Sequence, residues 1–322
     1  MVRRYLVTGG AGFIGSNFIR YVLAHEPDST VTNLDALTYA GVKATIDELD
    51  AIGRHDFVLG DIRNTQLVDR LMADHDVVVH FAAESHVDRS IDGSSVFLES
   101  NVVGTGVLVE AAQRHNVERF IHVSTDEVYG SIDQGFALEN APLEPSSPYS
   151  ASKAASDLVA RSYAVTFDYP VIVTRCTNNY GPYQFPEKVI PLFVTNLLDG
   201  KRVPLYGDGR NERDWLHVED HCSALHALVE QGELGEIYNI GANAQLSNID
   251  LTRKILAAMG RDESWIERVP DRPGHDLRYA VDSSKIRALG WQPAHSFADQ
   301  LKKTVKWYEA REDWWRPLRE QR

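Results

Sequence analysis

Short runs of apolar, mostly β-branched residues alternate with longer segments of helical periodicity along the first half of the chain. Strands are predicted at RYLVTG, TVTNLDA, DFVLGD, DVVVHFA, RFIHVST and PVIVTRC, and further along at EIYNIG. Helices are predicted over residues 13–25, 64–74, 94–116 and 149–168. Because the strands are apolar almost throughout, the alternation indicates a parallel sheet with helices on both faces. The predicted fold class is therefore α/β, with a doubly wound parallel (Rossmann-type) sheet.

The pattern becomes less regular from about residue 178 onward. Loop signals are dense in NNYGPYQFP, LYGDGRNERDW and VPDRPGHD, and short strands alternate irregularly with helices. We therefore expect the sheet domain to span residues 1–177, with later returns near 214–240, and a smaller C-terminal lobe to occupy mainly residues 178–322. The final segment, YEAREDWWRPLREQR, is charged and aromatic and predicts a surface helix with a frayed end.

Composition excludes several classes of partner. The 322-residue chain is long enough for a sizeable core, and its net charge of −13 argues against the basic surface that nucleic acid requires. Cys176 and Cys222 give no disulfide framework, which suits a reducing compartment, and we predict no metal site. No apolar run approaches the length of a membrane span, and glycines interrupt the apolar start too early for a signal peptide. A cytoplasmic protein without nucleic-acid or membrane partners is expected.

A glycine-rich motif follows the first predicted strand. In VTGGAGFIGS, Gly9, Gly12 and Gly15 allow a tight turn and a close approach of backbone to pyrophosphate, and the next helix points its N-terminus at the phosphates. Asp35 ends the second strand twenty residues after Gly15, where an acid binds the adenosine ribose 2′-hydroxyl and favours NAD over NADP. The alternative is that Asp35 is only a turn residue.

Two further strand ends belong to the same predicted crevice. Asp61 and Ile62 follow the third strand, where they can border an adenine. The segment FAAES at 81–85 ends the fourth strand, and its small residues let a cofactor approach the backbone. Carboxyl ends of parallel strands meet at one edge of the sheet, so NAD is predicted to lie across that edge.

A Tyr–Lys pair supplies the first catalytic hypothesis. Tyr149 and Lys153, in PYSASKAASD, lie four residues apart and therefore on one face of a predicted helix. Lys153 and a positive nicotinamide ring would lower the pKa of Tyr149, which would deprotonate an alcohol as hydride leaves the neighbouring carbon. Thr125 can hydrogen-bond the same oxygen. These parts resemble those of extended short-chain dehydrogenases/reductases, in which such a trio serves epimerases, reductases and dehydratases alike.

The segment STDEVYG adds two carboxyl groups that simple redox chemistry does not need. Its adjacent polar residues converge on one pocket only where the backbone turns, and Gly130 permits that turn. If a sugar is oxidised at carbon 4, Glu127 can remove the acidified proton of carbon 5, and a protonated Asp126 can donate to the hydroxyl leaving carbon 6. Like-charge proximity separates two such pKa values. The alternative is an N-capping Asp126 and a solvated Glu127.

Motifs along nearly the whole chain match one family. They are VTGGAGFIGSNF, NLDALTYAG, HFAAESHVDRSI, STDEVYG, PYSASKAASD, TRCTNNYGPYQFPEKVIPL, RDWLHVEDH, YNIG and DRPGHDLRYAVDSSKI. In these stretches the sequence resembles the dTDP-glucose 4,6-dehydratase family. The resemblance implies conversion of dTDP-D-glucose to dTDP-4-keto-6-deoxy-D-glucose and water by oxidation at C-4, elimination across C-5/C-6 and hydride return to C-6. It also implies a tightly bound NAD, regenerated each turnover, and a homodimer formed by helices 94–116 and 149–168.

The resemblance implies site residues as well. For NAD, the matching positions are Gly9, Gly12, Phe13, Ile14, Gly15, Asp35, Ala36, Leu37, Thr38, Asp61, Ile62, Phe81, Ala82, Ala83, Glu84, Ser85, Ser100, Tyr149, Lys153 and Asn179. For dTDP-glucose, they are Ser85, Thr125, Asp126, Glu127, Asn178, Lys188, Val189, Pro204, Leu205, Tyr206, Arg213, Asn248, Asp271, Arg272, Pro273, Gly274 and His275. Lys188, Arg213 and Arg272 are cations suited to a diphosphate, although each alone is equally consistent with a surface ion pair. Tyr206 suits stacking on a pyrimidine, with a core position as the alternative.

Two features depart from the family pattern. Ser100 stands before Asn101 where the family usually has Thr, and the segment between Tyr129 and Tyr149 is short. Serine keeps the hydroxyl, so we expect a small effect on cofactor contact. The short segment trims a loop near the active site.

Two rival functions use the same cofactor motif. A NAD-dependent nucleotide-sugar 4-epimerase needs the Thr/Tyr/Lys trio but leaves the two carboxyl groups of STDEVYG unexplained. A non-catalytic NAD-binding sensor would not need the Tyr–Lys pair. Turnover of a nucleotide sugar separates the sensor from both enzymes.

Overall fold

All seven predicted strands form, and they share one sheet. The computed structural model describes residues 2–271 and 273–320, and its strands are β1 Arg4–Thr8, β2 Thr30–Asp35, β3 His55–Leu59, β4 Val77–His80, β5 Arg119–Thr125, β6 Val171–Cys176, β7 Asn178–Tyr180, β8 Val203–Tyr206, β9 Glu212–His217, β10 Ile237–Ile240, β11 Gln245–Ser247 and β12 Ile266–Val269. Within these residues, a seven-stranded sheet has the order β10-β6-β5-β4-β1-β2-β3, and all neighbouring strands in it are parallel. Strands β1 to β6 of this sheet follow the Rossmann order. The predicted doubly wound parallel sheet is confirmed.

The helices lie largely where the sequence predicts them. They are α1 Phe13–His25, α2 Lys43–Ile52, α3 Thr65–Met72, α4 Val87–Asp92, α5 Ser95–Phe97, α6 Gly104–Arg114, α7 Pro148–Phe167, α8 Val189–Leu198, α9 Val218–Gln231, α10 Asn248–Ala258, α11 Ser284–Ala288, α12 Phe297–Ala310 and α13 Glu312–Glu320. The prediction of one continuous helix over 94–116 is wrong in its middle, because a π-helical turn at Leu98–Val103 joins α5 to α6. In the described part of the chain, no helix combines the length and the apolar character needed to cross a membrane.

The sheet separates two apolar cores. Because successive side chains of a strand face opposite sides, Leu6 points into one core and Val7 into the other. Residues such as Phe18 on α1 and Leu225 on α9 close the core around Val7. On the other face, α3, α6 and α7 close the core around Leu6, with Leu108 fully buried. Burial on both faces accounts for the near-continuous apolar strands.

The chain after β6 builds a smaller lobe. Strands β7, β9 and β11 form one small sheet and β8 pairs with β12, whereas β10 returns to the central sheet beside β6. The helix predicted at the C-terminal end is present as α13, but it has a buried face as well as a surface face, because α12 and α13 carry Tyr308, Trp314 and Trp315 into the core of this lobe. The end of the segment, residues 321–322, where fraying is predicted, lies outside the described residues. Trp314 and Trp315 are only 3% and 1% exposed. The charged residues of the segment lie on the outer face of the same helices.

Candidate active site

A cleft of about 360 Å³ lies at the carboxyl ends of the central strands and reaches the first residues of the smaller lobe. The predicted site residues that line it are Gly9, Gly12, Phe13, Ile14, Gly15, Asp35, Ala36, Thr38, Asp61, Ile62, Phe81, Ala82, Ala83, Glu84, Ser85, Ser100, Thr125, Asp126, Glu127, Tyr149, Lys153, Asn178, Asn179 and Lys188. Among the predicted cofactor residues, Leu37 does not line the cleft. One cavity thus brings the predicted catalytic residues and most of the predicted cofactor residues together.

The glycine-rich turn is packed too tightly for side chains. Gly9 has a φ of +74°, and a Cβ added to it would lie 2.6 Å from the backbone nitrogen of Ala82. A Cβ on Gly15 would lie 2.4 Å from the carbonyl oxygen of Gly9. Helix α1 starts at Phe13, and its N-cap, Gly12, offers no side chain to the first backbone N–H groups. These N–H groups face a cleft shaped by glycines, which fits the pyrophosphate of a dinucleotide.

Asp35 also organises this turn. Its carboxylate accepts hydrogen bonds from the backbone nitrogens of Ala11, at 2.9 Å, and Leu37, at 2.8 Å. Burial raises its pKa, while those two hydrogen bonds act in the opposite direction. Asp35 therefore does act as a turn residue, as the alternative proposed, and it also lines the cleft. Leu37, the second donor, takes a φ of +50° and does not line the cleft.

Asp61 is paired with a cation that the sequence analysis missed. Its carboxylate accepts from Arg63 Nε at 3.0 Å and from Arg63 Nη2 at 2.7 Å, and these bonds lower the pKa of Asp61. Arg63 itself lines the cleft. The sequence did offer a signal for this ion pair, because Arg63 follows Asp61 by only two residues.

The end of β4 is tied to two helical elements through one amide. The backbone nitrogen of Glu84 donates to Asn101 Oδ1 at 2.8 Å, and Asn101 Nδ2 donates to the Glu84 carbonyl at 3.0 Å. The same Nδ2 donates to Ser152 Oγ on α7 at 2.8 Å. Asn101 lies in the π-helical turn, next to Ser100 in the cleft wall. This amide fixes the distance between the predicted cofactor wall and the helix that carries Tyr149.

The predicted turn after β5 is present. The strand ends at Thr125, a 3₁₀ turn spans Asp126–Tyr129, and Gly130 has a φ of +71°. Thr125 Oγ1 accepts from the backbone nitrogen of Glu127 at 3.2 Å and donates to Asp126 Oδ1 at 3.4 Å. Because Thr125 caps this turn, the alternative of an N-capping Asp126 does not describe the structure. The turn places three consecutive polar side chains in one cleft.

Asp126 is a buried acid. It is 3% exposed, and its Oδ2 has no hydrogen-bond partner among the residues that the structure describes. Burial raises its pKa well above the ordinary value, and the charge of Glu127 raises it further. The Arg213 guanidinium acts in the opposite direction. A carboxyl group in this environment favours its protonated form, the form that a proton donor requires.

Tyr149 and Lys153 lie on the same face of α7, beside the carboxyl pair. Burial raises the pKa of Tyr149 well above its usual value, and Glu127 adds to the rise. Lys153 Nζ donates to the carbonyl oxygen of Val123 at 2.9 Å, and burial lowers the pKa of this lysine. Burial and the charge of Glu127 thus set the direction of the Tyr149 pKa in the chain alone, and its lowering by Lys153 together with a positive nicotinamide ring stays a prediction for the NAD-bound state.

A buried polar network behind the cleft was also missed. His122 Nε2 lies 3.1 Å from Ser156 Oγ and 3.3 Å from Asp157 Oδ1. Asp157 Oδ2 accepts from Arg175 Nε at 2.9 Å, and all these side chains are buried. Asp157 is four residues after Lys153, so the face of α7 that carries the Tyr–Lys pair continues inward. That spacing was the signal available in the sequence.

Further residues at the cleft wall lie inside the family motifs, although the sequence predicts no role for them. Tyr39 Oη lies 3.4 Å from Ser85 Oγ, and the Arg89 guanidinium lies 4.1 Å from the centre of the Tyr39 ring. Lys188 Nζ donates to the Ser85 carbonyl at 2.9 Å. Glu187, beside Lys188, lines the cleft as well. Ser85 is thus the point where the predicted cofactor and substrate walls meet.

The remaining predicted substrate residues gather in the smaller lobe, outside the cleft lining. They are Val189, Pro204, Leu205, Tyr206, Arg213, Asn248, Asp271, Pro273, Gly274 and His275, while Arg272 lies outside the described residues. Tyr206 is 40% exposed and meets the ring of His275 edge-on at 6.3 Å, so the core alternative for Tyr206 is wrong. His275 Nδ1 lies 2.6 Å from Asp271 Oδ1.

Arg213 is not a surface ion pair. It is 5% exposed, donates to the carbonyls of Glu212 at 2.7 Å and Asp276 at 2.9 Å, and lies 4.1 Å from the centre of the Tyr279 ring. Its charge acts on the pKa of Asp126, which places it close to the cleft. Backbone carbonyls orient this cation without neutralising it, so its charge is available to an anion.

Comparison with known proteins decides the family. A sequence model of the GDP-mannose 4,6 dehydratase family matches residues 6–304. The dTDP-glucose 4,6-dehydratase of Streptomyces antibioticus is 54% identical over 320 residues, which cover 98% of this chain and 95% of that protein. The chain belongs to the dTDP-glucose 4,6-dehydratase family. A solved structure of the Streptomyces venezuelae dTDP-glucose 4,6-dehydratase, with NAD and TYD bound, is 56% identical with a TM-score of 0.96, covering 98% of this chain and 99% of that one.

The fold of this dehydratase family is shared with epimerases. A UDP-glucuronic acid 4-epimerase from Bacillus cereus, solved in complex with UDP-glucuronic acid and NAD, has a TM-score of 0.90 at 28% identity and covers 95% of this chain and 99% of that one. Backbone similarity therefore does not separate the two activities. The separation rests on the side chains of the cleft, above all on the residues after β5.

Proposed function

We propose that this chain is a NAD-dependent dTDP-glucose 4,6-dehydratase, a carbon–oxygen lyase that converts dTDP-D-glucose to dTDP-4-keto-6-deoxy-D-glucose and water. The observation that carries the proposal is the buried carboxyl of Asp126 beside Glu127 in the cleft. Neither the 4-epimerase nor the non-catalytic sensor needs a buried acid whose pKa is raised by burial and by a neighbouring carboxylate. The identity to dTDP-glucose 4,6-dehydratases supports the same substrate.

The glycine-rich turn and the first N–H groups of α1 would hold the NAD pyrophosphate, and Asp35 would bind the ribose. Bound there, NAD would supply hydride transfer from carbon 4 to carbon 6 and a positive charge that favours loss of the Tyr149 proton. The return of the hydride leaves the cofactor unchanged after each turnover, which supports tight retention. Solved relatives contain NAD.

Tyr149 and Thr125 handle the oxygen on carbon 4. Tyr149 takes the proton of the carbon 4 hydroxyl as that carbon is oxidised, and Thr125 orients the oxygen by a hydrogen bond. Lys153, fixed by the Val123 carbonyl, keeps a cation behind the phenol. Because burial and Glu127 oppose ionisation of Tyr149, the phenol would lose its own proton to solvent only when NAD is bound, and the phenolate then takes the proton of the carbon 4 hydroxyl.

Glu127 and Asp126 divide the elimination between them. The ketone at carbon 4 acidifies the proton on carbon 5, and Glu127 removes that proton. Asp126 gives its proton to the hydroxyl on carbon 6, so the carbon–oxygen bond breaks and water leaves. The carbon 5–carbon 6 double bond formed in this step is then reduced at carbon 6 and protonated at carbon 5. Glu127 gives its proton back to carbon 5 when the hydride reaches carbon 6, and the proton that Tyr149 took from the carbon 4 hydroxyl passes to solvent. Asp126 regains a proton from solvent, so all three residues return to their starting protonation states.

The smaller lobe is proposed to bind the nucleotide. Lys188 and Arg213 supply positive charge for the diphosphate, and the exposed ring of Tyr206 is suited to stacking on thymine. In domain terms, residues 1–177 with returns near 214–240 would bind NAD, and residues 178–322 would mainly bind the nucleotide sugar. The return of β10 to the central sheet supports this division.

A homodimer in the cytoplasm is part of the proposal. Val103, at the end of the π-helical turn, and Leu158, on α7, are each 55% exposed, and Val165 on the same helix is 81% exposed. Helices α6 and α7 pack side by side, so these side chains belong to one apolar face that a second copy would cover. Two free, buried cysteines and a nucleotide-sugar substrate suit a reducing compartment.

The test is mass spectrometry of dTDP-glucose incubated with the purified protein without added NAD. We expect a product lighter by one water, formed over many turnovers. Glu127→Gln is the control that should form no such product. An isomer of unchanged mass would support the 4-epimerase instead, and no conversion even with added NAD would contradict both enzymes.

A further inference from the structure

Three potential metal ligands converge away from the cleft. His217 ends β9, Glu219 lies in the first turn of α9, and His295 precedes α12. One ligand atom from each lies within 4.8 Å of the others. Glu219 Oε2 is 3.2 Å from His295 Nε2 and 3.8 Å from His217 Nδ1. The proposed reaction uses none of these residues.

His217 supplies a buried nitrogen whose hydrogen-bonding capacity is unused. The residue is 5% exposed, and among the described residues its Nδ1 has no hydrogen-bond partner. The ring is held in place by edge-on contact with Tyr180, at 5.4 Å between ring centres, and by the His295 ring at 4.9 Å. A buried polar atom without a partner costs free energy, so this nitrogen points to a ligand.

Asp220 orients the second imidazole. Its Oδ1 lies 2.8 Å from His295 Nδ1 and accepts from the backbone nitrogen of Ala294 at 2.9 Å. When His295 Nδ1 carries the proton and donates to this carboxylate, Nε2 keeps its lone pair and faces Glu219. A carboxylate that fixes the far nitrogen of a histidine is the usual outer partner of a metal-bound imidazole.

We propose that His217, Glu219 and His295 bind one Zn²⁺ ion, with Asp220 as the outer partner of His295. Two ligands of a tetrahedral zinc ion lie roughly 3.3 Å apart, because each is about 2.0–2.1 Å from the metal. The two measured separations, 3.2 Å and 3.8 Å, are close to that value. The Glu219 side chain is 60% exposed, so the ion enters from solvent and a water completes its coordination.

The role of this ion is structural. It joins the first turn of α9, which packs on α1 of the NAD-binding side, to the segment that leads into α12 of the smaller lobe. A metal that binds the folded chain and not the unfolded chain raises stability by mass action. Zinc should therefore raise the midpoint of thermal unfolding without being needed for turnover.

A second cluster, Glu26, His226 and Glu230, serves as the matched control. There Arg3 already pairs with both carboxylates, so a cation of the chain occupies the place that a metal would take. Zinc binding should not depend on this cluster.

The experiment is calorimetric titration of tag-free, EDTA-treated and dialysed protein with ZnCl₂, together with thermal unfolding in the presence and absence of zinc. We expect one Zn²⁺ per chain and a higher unfolding midpoint. His295→Gln and Glu219→Gln remove partly exposed direct ligands, and each should weaken binding by more than the roughly 10–100-fold typical of an outer-shell change. Glu230→Gln should bind zinc as the parent does.

Three results would overturn the site. They are no zinc binding by the parent, unchanged affinity in both ligand variants, and loss of binding in Glu230→Gln alone. The first would mean that the cluster is held together by contacts among its own side chains alone. Dehydratase activity is measured separately, so the site and the proposed reaction stand or fall independently.

Discussion

Inside the protein, the carboxylate of Asp157 accepts a 2.9 Å hydrogen bond from Arg175 Nε. Asp157 lies on α7, one helical turn after Lys153. The Asp157 and Arg175 side chains are buried, at 0% and 1% exposure. Arg175 Nη1 donates to Tyr129 Oη at 2.8 Å, so the pair also supports the turn that carries Asp126 and Glu127. A buried ion pair thus connects the helix of the Tyr–Lys pair to the loop of the carboxyl pair.

Asp157→Asn should destabilise the protein severely. Removing one partner of a buried ion pair leaves Arg175 charged and poorly compensated, which costs about 3–5 kcal/mol in the free energy of unfolding. Urea unfolding followed by circular dichroism measures the change. The matched control is Asp47→Asn in the exposed Lys43–Asp47 pair, which should leave the midpoint unchanged. Equal midpoints for all three proteins would contradict a structural role for the buried pair.

Glu127→Gln and Asp126→Asn should block different steps of the elimination. In D₂O, an enzyme that removes the proton of carbon 5 introduces deuterium there, which NMR of the sugar detects. We expect Glu127→Gln to abolish deuterium incorporation together with water loss. Asp126→Asn should keep exchange at carbon 5 while slowing water loss by at least about 100-fold, because only the proton donor is lost. Exchange that survives in Glu127→Gln would assign the base elsewhere.

Asp126→Asn should stabilise the protein at neutral and alkaline pH. The folded-state pKa of Asp126 lies well above the ordinary value of 3.8, because of burial and the charge of Glu127. Between those two pKa values the folded state holds a proton that the unfolded state has lost, so stability falls as the pH rises through this window. Asparagine cannot ionise and avoids that loss. Thermal unfolding should give the variant the higher midpoint at about pH 8 and equal midpoints near about pH 4; a gap that widens toward acid would contradict the assignment.

Charge on the exposed apolar face should break the proposed dimer. Val103→Glu combined with Leu158→Glu places carboxylates on the face formed by α6 and α7, which a second copy would bury. Light scattering after size exclusion should give twice the chain mass for the parent and one chain mass for the variant. Leu59→Glu, at the end of β3 and 65% exposed in the parent, is the control that should remain dimeric. A monomeric parent would refute the dimer.

Most strands of the central sheet were predictable because the residues within each strand are enough to identify it. Each strand is apolar on both faces, and α1 runs over the predicted residues 13–25 because Gly12 ends the turn and the apolar periodicity ends at His25. The burial of Trp314 and Trp315 in the last helix was not predicted, because charged residues surround them in sequence. Their burial depends on the distant side chains of Phe193 and Leu251, which no local pattern reveals.

The site was predictable where chemistry demands a fixed spacing. Gly9 to Gly15, Asp126 with Glu127, and Tyr149 with Lys153 are each local arrangements, and the cleft contains all of them. The rise in the pKa of Tyr149 in the chain alone could not be predicted from the spacing, because burial is a property of the folded chain. His122 and Arg175 were missed for a related reason: they sit within apolar strands, and only the packing of α7 against β5 and β6 brings them to Asp157.

Because of the π-helical turn at Leu98–Val103, the number of residues in this segment affects the geometry of the site. Such a turn holds one residue more than the α-helix around it, so deleting one residue would restore an ordinary helix and remove the widened turn that positions Asn101. Asn101 would then leave both Glu84 and Ser152. Homologues in this family should therefore tolerate changes of residue type on the outer face of this turn far better than a change of one in its length.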